Sequence, residues 1–333
     1  MERREFLAGL AALLATRARA QAPARGARLP RVGIYLTSPL QSLEREVRIF
    51  VDAMRDLRWI EGSTVAYERE FAARDLRSPH DDAEMVALAQ GLAERKPDVI
   101  WLLSSLSANA VLKVTREIPV VGAAVSEVVE RGYAKSLARP GGNFTGVANF
   151  AWELGAKRLE YLHLMVPAVS RVGVLMVPRN SNCENELREI RTAARRMGLT
   201  VVPAPMEREE EAADAFAGMT RSRVQAVLIA HHPLFQNHRA RLLKLAADHR
   251  LPAVGHRSYF ADLGALLAYS TDLDAQMRQS ARLVDKILRG AKPGDIPVES
   301  PMTTELVVNL KTARSLGLTI PQDVLHLANR IIE

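Results

Sequence analysis

Arg139-Pro140-Gly141-Gly142-Asn143-Phe144-Thr145-Gly146-Val147-Ala148-Asn149-Phe150 separates two stretches of chain that read alike. The stretch before it opens its first apolar run with Arg31-Val32-Gly33-Ile34-Tyr35-Leu36, and the stretch after it with Arg171-Val172-Gly173-Val174-Leu175-Met176. Proline fixes φ and glycine accepts almost any backbone angle, so Pro140, Gly141 and Gly142 stop whatever precedes them. Thr145-Gly146-Val147 then reads as a short strand that leads from one half to the other. The spacing predicts a crossover between two lobes, with a ligand cleft beside it.

Outward from this stretch, each half alternates short apolar runs with helical patterns. In the first half the runs are Val32–Leu36, Val65–Glu68, Asp98–Leu103 and Ile118–Gly122. Between them lie helices over Leu43–Leu57, after His80-Asp81-Asp82, and over Ala108–Val114. In the second half the runs are Val172–Val177, Thr200–Val202, Ala226–Ala230, Leu251–Gly255 and Leu266–Tyr269. Its helices are one with Leu187, Ile190, Ala194 and Met197 inward, one over Glu207–Met219, and one ending near His249. Leu251-Pro252-Ala253-Val254-Gly255 mirrors Ile118-Pro119-Val120-Val121-Gly122. Continuous β-branched runs mark strands buried on both faces, and their alternation with helices implies parallel sheets with right-handed crossovers.

The chain continues past Tyr269 with a helix over about Asp274–Arg289, a strand at Glu305–Asn309 and a short helix over Leu310–Leu316. The simplest layout returns the long helix to the first lobe and the last strand to the second. The expected fold class is therefore α/β, with two doubly wound parallel-sheet lobes joined by a three-crossover hinge. The expected division is lobe 1 at 31–146, lobe 2 at 147–271, a return to lobe 1 at 272–300, and a C-terminal segment on lobe 2 at 301–333. A length of 333 residues, beyond the size at which single cores stop growing, agrees with two domains.

The N-terminus reads as an export signal. Arg3-Arg4-Glu5-Phe6-Leu7 is a twin-arginine pattern, Ala8 to Ala15 is weakly apolar, and Ala18-Arg19-Ala20 offers small residues to a signal peptidase. Residues 1–20 are expected to be a signal peptide cleaved near Ala20-Gln21, and 21–30 a flexible lead-in; an amphipathic N-terminal helix is the alternative. No cysteine follows the apolar stretch, so a lipid anchor at a new N-terminus is not expected. The mature chain is expected to be a soluble, periplasmic monomer.

The net charge of +7 raises the question of nucleic acid. Lys and Arg are interleaved with Glu and Asp along the helices, and no basic run with interleaved aromatics occurs, which points to solvated helix faces and no nucleic-acid partner. Cys183 is the sole cysteine, so an internal disulfide is excluded. No Cys/His zinc spacing occurs, and neither a metal nor a cofactor is expected.

In doubly wound sheets, ligands bind outside the carboxyl ends of the strands. Those ends carry Ser38, Ser104, Ser105, Ser126, Glu127 and Thr145 in the first half, and Asn180, His231, His256 and Tyr269 in the second. Ser104-Ser105 precedes a helix, where free N–H groups bind anions or are simply capped. Thr145 could turn its hydroxyl into the cleft. Asn180 offers amide groups or forms a turn. Glu127 pairs with a solute ammonium or with a neighbouring Lys or Arg. Tyr269 stacks on a solute or caps the core. His231 and His232, adjacent on extended chain, point to opposite sides, so one can line the cleft but both do not hold one ion.

Leu137-Ala138-Arg139-Pro140-Gly141-Gly142-Asn143-Phe144-Thr145-Gly146 resembles the crossover of the ABC-transporter substrate-binding protein family that includes the tryptophan-binding TrpX type. Asp285-Lys286-Ile287-Leu288-Arg289-Gly290-Ala291-Lys292-Pro293, the stretch from Val308-Asn309-Leu310 to Thr319-Ile320-Pro321, and the twin-arginine leader carry the same resemblance. It implies a type I periplasmic binding protein that closes on a small solute, such as an amino acid or carboxylate, and delivers it to ABC permease membrane subunits. Relatives commonly have Gly-Asp-Pro where this chain has Ser126-Glu127-Val128, and a Trp-Asn-Pro start where it has Val177-Pro178-Arg179 with Asn180 nearby. Both departures fall at cleft positions and bear on the solute, not on the architecture.

Other classes leave less trace. No Gly-x-Gly-x-x-Gly, P-loop or Gly-x-Ser-x-Gly signature follows any strand, so an enzyme is not expected. A transcription regulator on the same lobes would need a DNA-binding module ahead of residue 30, where the leader stands. A ligand sensor that docks on a receptor would use the same cleft and is the alternative.

Overall fold

The computed structural model describes residues 28–76, 81–149 and 152–333. The export leader, most of the lead-in, His80 and Phe150 lie outside the described residues.

The first half folds as β1 (Arg31–Leu36), α1 (Leu40–Asp56), β2 (Ala66–Phe71), α2 (Asp82–Glu94), β3 (Val99–Leu102), α3 (Ser105–Val114), β4 (Val120–Val125) and β5 (Phe144–Ala148). Its sheet runs β2-β1-β3-β4-β5 and is parallel throughout. Apolar clusters cover both faces of this sheet, which explains why β3 and β4 read as unbroken apolar runs.

The second half folds as α4 (Gly155–Met165), β6 (Arg171–Met176), α5 (Ser181–Met197), β7 (Thr200–Pro205), α6 (Ala212–Arg221), β8 (Ala226–Ile229), α7 (Pro233–Asn237), α8 (Arg239–Asp248), β9 (Ala253–Gly255), α9 (Ser258–Asp262) and β10 (Leu267–Thr271). α10 (Leu273–Leu288), β11 (Thr304–Asn309), α11 (Leu310–Ser315), α12 (Gln322–Leu327) and β12 (Arg330–Ile332) complete the chain. The second sheet runs β12-β11-β10-β9-β8-β6-β7, with β11 antiparallel to β10.

Two local differences from the sequence reading have physical causes. The helix expected from Glu207 begins only at Ala212, because the Glu211 carboxylate accepts from the backbone N of Glu207 at 2.7 Å and makes Glu209–Glu211 a capped 3-10 turn. β12 was not expected; a three-residue strand is too short to show period-two alternation.

α10 packs on the first sheet. Trp101 of β3 stacks on Phe50 of α1 at 4.2 Å, and its indole N–H donates to Ser280 Oγ of α10 at 2.9 Å. β11 then returns to the second sheet. The chain thus passes between the sheets three times, after β5, after β10 and before β11. The passages are tied together. Glu299 N donates to Gly146 O at 2.9 Å, Ala148 N to Glu299 O at 2.8 Å, and Asp272 N to Thr303 O at 3.0 Å. From α10, buried Gln276 donates to Ala148 O at 3.3 Å, and buried Gln279 donates to Glu299 Oε2 at 2.7 Å and Ser300 O at 3.0 Å.

The Arg139–Phe144 stretch docks on the turn after α10. Gly141 N donates to Gly294 O at 3.0 Å, and a Cβ at Gly294 would lie 2.8 Å from Gly142 O. Two motifs separated by more than a hundred residues are therefore two sides of one contact. Gly146 shows the same crowding inside β5: it sits opposite Gly122, and a Cβ there would lie 2.3 Å from the Gly122 carbonyl oxygen. Backbone cannot yield as a side-chain tip can. Gly146→Ala is expected to cost about 1–3 kcal/mol by overpacking. A thermal melt followed by circular dichroism would check this, and a variant melting with the parent would contradict it. Among the described residues no helix is long and apolar enough to cross a membrane.

Candidate ligand cleft

On the first lobe the carboxyl ends of β1, β3 and β4 bring four serines to one edge. Ser38 is buried just past β1. Ser104 caps α3, its Oγ accepting from Ser107 N at 3.0 Å. Ser105 Oγ accepts from Ser126 N at 2.9 Å, which fastens the β4 exit to the start of α3. Glu127 follows with φ of 55°, a left-handed conformation that costs a non-glycine residue free energy. Its Oε2 takes Arg131 Nη2 at 2.6 Å. Its Oε1 accepts from Ser181 Oγ, at the start of α5 in the other half, at 2.9 Å. That hydrogen bond brings the carboxyl-end rims of the two sheets together.

Thr145 goes elsewhere. It is fully buried, and its hydroxyl donates to Ile296 O at 2.9 Å, so it is spent on the returning segment rather than offered to the cleft.

On the second lobe, Asn180 caps α5 by accepting from Cys183 N at 3.1 Å. The preceding residue, Arg179, also has positive φ, at 58°. Both positions that depart from the family pattern thus carry left-handed non-glycine residues. Cys183 is fully buried and burial pushes its thiol up to about 12, which leaves it an inert core residue. Tyr269 of β10 packs on Tyr161 of α4 with ring centres 5.0 Å apart, and its hydroxyl donates to Thr304 Oγ1 at 3.1 Å.

Behind this rim sits a buried charged cluster. Gly155 on α4 permits a close approach to α5: a Cβ there would lie 2.7 Å from Glu186 Cγ. One turn along α4, Arg158 forms a fully buried ion pair with Glu186 and donates from Nε to Tyr269 O at 2.9 Å. The second oxygen of Glu186 accepts from His231 N at 2.8 Å, at the exit of β8. Burial pushes the Glu186 carboxyl up and the Arg158 guanidinium down, and the pairing opposes both.

His231 and His256, at the exits of β8 and β9, meet edge to face at 5.0 Å. His256 is fully buried and its Nδ1 lies 3.2 Å from Ile229 O. The Nε2 atoms of both rings are buried without a hydrogen-bond partner. Burial holds both imidazoles well below their ordinary pKa, with Arg257 and Arg158 adding to the effect on each. Arg257 follows His256 directly, and its Nη1 is also buried without a partner. Burial lowers its pKa, opposed by Tyr259 and by Glu46 on α1 of the other lobe. His232 points away from His231 and caps α7, its Nδ1 accepting from Leu234 N at 3.1 Å. Among the described residues no group of three or more His, Cys, Asp or Glu side chains is placed to hold a metal ion.

The structure therefore gathers Ser104, Ser105, Ser126 and Glu127 on one rim and groups His231 and His256 on the other, with Tyr269 bonded into the same charged cluster. Asn180 acts as a helix cap, and Thr145 stands apart. Arg158, Glu186 and Arg257 were missing from the sequence reading. Glu186 could have been noticed, since it falls between Cys183 and Ile190 on the inward stripe of α5.

A sequence-family profile described as ABC transporter substrate binding protein matches residues 41–332. A tyrosine-binding protein from Clostridioides difficile (strain R20291) is 23% identical over 287 residues, covering 86% of this chain and 81% of that protein. Among solved structures, the ABC domain in complex with L-Trp from Streptococcus pneumoniae gives a TM-score of 0.79 at 23% identity, covering 92% of this chain and 100% of that one. The ligand-free, open structure of a substrate-binding protein with adhesive properties from Clostridium difficile gives 0.73 at 21% identity, covering 91% and 99%. The two-lobed α/β architecture expected from the strand and helix pattern, for which the family resemblance implied the type I periplasmic binding protein fold, is the one that matches these structures.

Proposed function

We propose, from the premise that this chain belongs to the ABC transporter substrate-binding protein family, that it captures a small organic solute between its lobes and delivers it to a membrane permease. Residues 31–146 with 272–300 form one moving body, and 147–271 with 301–333 the other. Residues 1–20 direct export by the twin-arginine route and are removed between Ala20 and Gln21, leaving a monomer in the periplasm. The solute is an amino acid or a related carboxylate, in keeping with a relative named for tyrosine and a structural neighbour holding L-Trp.

One observation carries the reading. The two rims of strand ends face each other closely enough for Ser181 to bond Glu127, while the second rim keeps buried polar atoms unpartnered. Buried polar groups are normally satisfied, so unpaired ones at a strand-end cleft suit a ligand. Contacts available to the solute only when both lobes engage it would drive closure.

A thermal-shift screen of amino acids and carboxylates on the mature chain tests this. A solute at a hundredfold excess over its Kd is expected to stabilise the protein by about 2.7 kcal/mol. No shift from any solute, together with a cytoplasmic location of the full chain, would remove the proposal.

A further inference from the structure

The charge cluster at the exits of β8 and β9 is not balanced. Arg158 and Arg257 bring two cations, Glu186 brings one anion, and the low imidazole pKa values leave His231 and His256 neutral at neutral pH. Glu186 is already committed to Arg158 and to His231 N. Among the described residues Arg257 has no ion pair, although its Nη1 is buried. Glu46 of the other lobe acts on this guanidinium through space, but the buried Nη1 still has no acceptor, and leaving such a donor unpaired is costly, so the position suits an anion.

The imidazoles restrict the anion further. Ile229 O can only accept, so Nδ1 of His256 carries the proton and Nε2 presents a lone pair. That lone pair has no donor. The missing group must therefore bring a donor as well as a negative charge. An ammonium would supply the donor, but it would enter the positive potential of Arg158 and Arg257 that already disfavours a proton on either ring. A hydroxyl supplies a donor without charge.

We infer that this cluster is a hydroxycarboxylate subsite, with the solute carboxylate on Arg257 and its hydroxyl donating to the Nε2 of His256. The inference rests on the solute-binding reading and narrows its solute class, favouring a 2-hydroxy acid over the matching amino acid.

The test uses the mature chain with paired probes: lactate against alanine, 3-phenyllactate against phenylalanine, and 3-phenylpropionate, which keeps the carboxylate and lacks the hydroxyl. Calorimetry and thermal shift report affinity, and ring nitrogen NMR reports His256. The expected result is that at least one hydroxy acid binds at least tenfold tighter than its amino-acid and deoxy counterparts and moves the His256 Nε2 resonance. Arg257→Gln should lose at least tenfold in that affinity, with Arg257→Lys intermediate and with circular dichroism spectra unchanged. If Arg257→Gln misfolds, His256→Phe carries the test, and it should erase the preference for the hydroxyl. An amino acid that binds more tightly than its hydroxy counterpart overturns the subsite and leaves solute capture standing. So does a solute from the wider screen whose affinity ignores Arg257→Gln. No movement of the His256 resonance with any carboxylate probe overturns the subsite, whether or not the wider screen finds a solute.

Discussion

Replacing Glu186 with alanine should destabilise the second lobe by about 3–5 kcal/mol, the range expected when one member of a buried ion pair is removed. The carboxylate does three things at once. It neutralises Arg158, which is fully buried on α4. It takes the backbone N–H of His231 at the end of β8. It also fills the space left by the missing side chain of Gly155. Removing it takes away the anion that neutralises this buried guanidinium, whose Nε donates to Tyr269 O. Urea unfolding is the measurement. The loss should largely disappear in Arg158→Met/Glu186→Leu, since replacing both charges with apolar groups of similar size removes the desolvation cost along with the attraction. A Glu186→Ala variant within 1 kcal/mol of the parent would show that the pair is not isolated from water. The double variant should still lose solute affinity, because the ion pair also fixes the backbone from which His231 projects.

The same residues show what could be read without coordinates. The lobes were legible because β1 and β6, or β4 and β9, repeat one apolar pattern, and a strand buried on both faces has little freedom to read otherwise. The strand-end rule then placed Ser105, Ser126, His231 and His256 near a cleft. It could not say what each side chain would meet there. Thr145 broke the rule in position, since it is the second residue of β5 and so lies near the amino end, and its hydroxyl went to Ile296 O, a partner 151 residues away. Arg158 was hidden for a different reason: α4 follows the crossover with a glycine and alternating charges, so its inward face does not stand out from its solvent face. Its partner Glu186 lies at helical spacing from Cys183 and Ile190, and a carboxylate on an otherwise apolar stripe signals a buried countercharge. Arg257 gave no such signal, since an arginine after a strand reads as a surface residue, and only the fold shows that its Nη1 is buried.

Stability should fall as the pH drops from about 7 to 5, and the same cluster sets the sign. His231 and His256 have native pKa values held well below the ordinary value by burial first and then by neighbouring cations. Unfolded, each titrates near 6.5. Above that pH both states are neutral and the pair contributes no pH dependence. Below it the unfolded chain takes up protons that the native chain refuses, so the native state loses about 1.4 kcal/mol per unit for each ring. His232, brought to about 4 by burial, acts in the same direction. Glu186 and Glu153, both raised by burial, work the opposite way. Urea midpoints between pH 7.5 and 5 would show the slope, and a flat profile would mean that the rings are hydrated. His256→Phe should lower the slope by one ring's share. Arg257→Gln should lower it as well, because part of what keeps the second ring neutral is the guanidinium beside it.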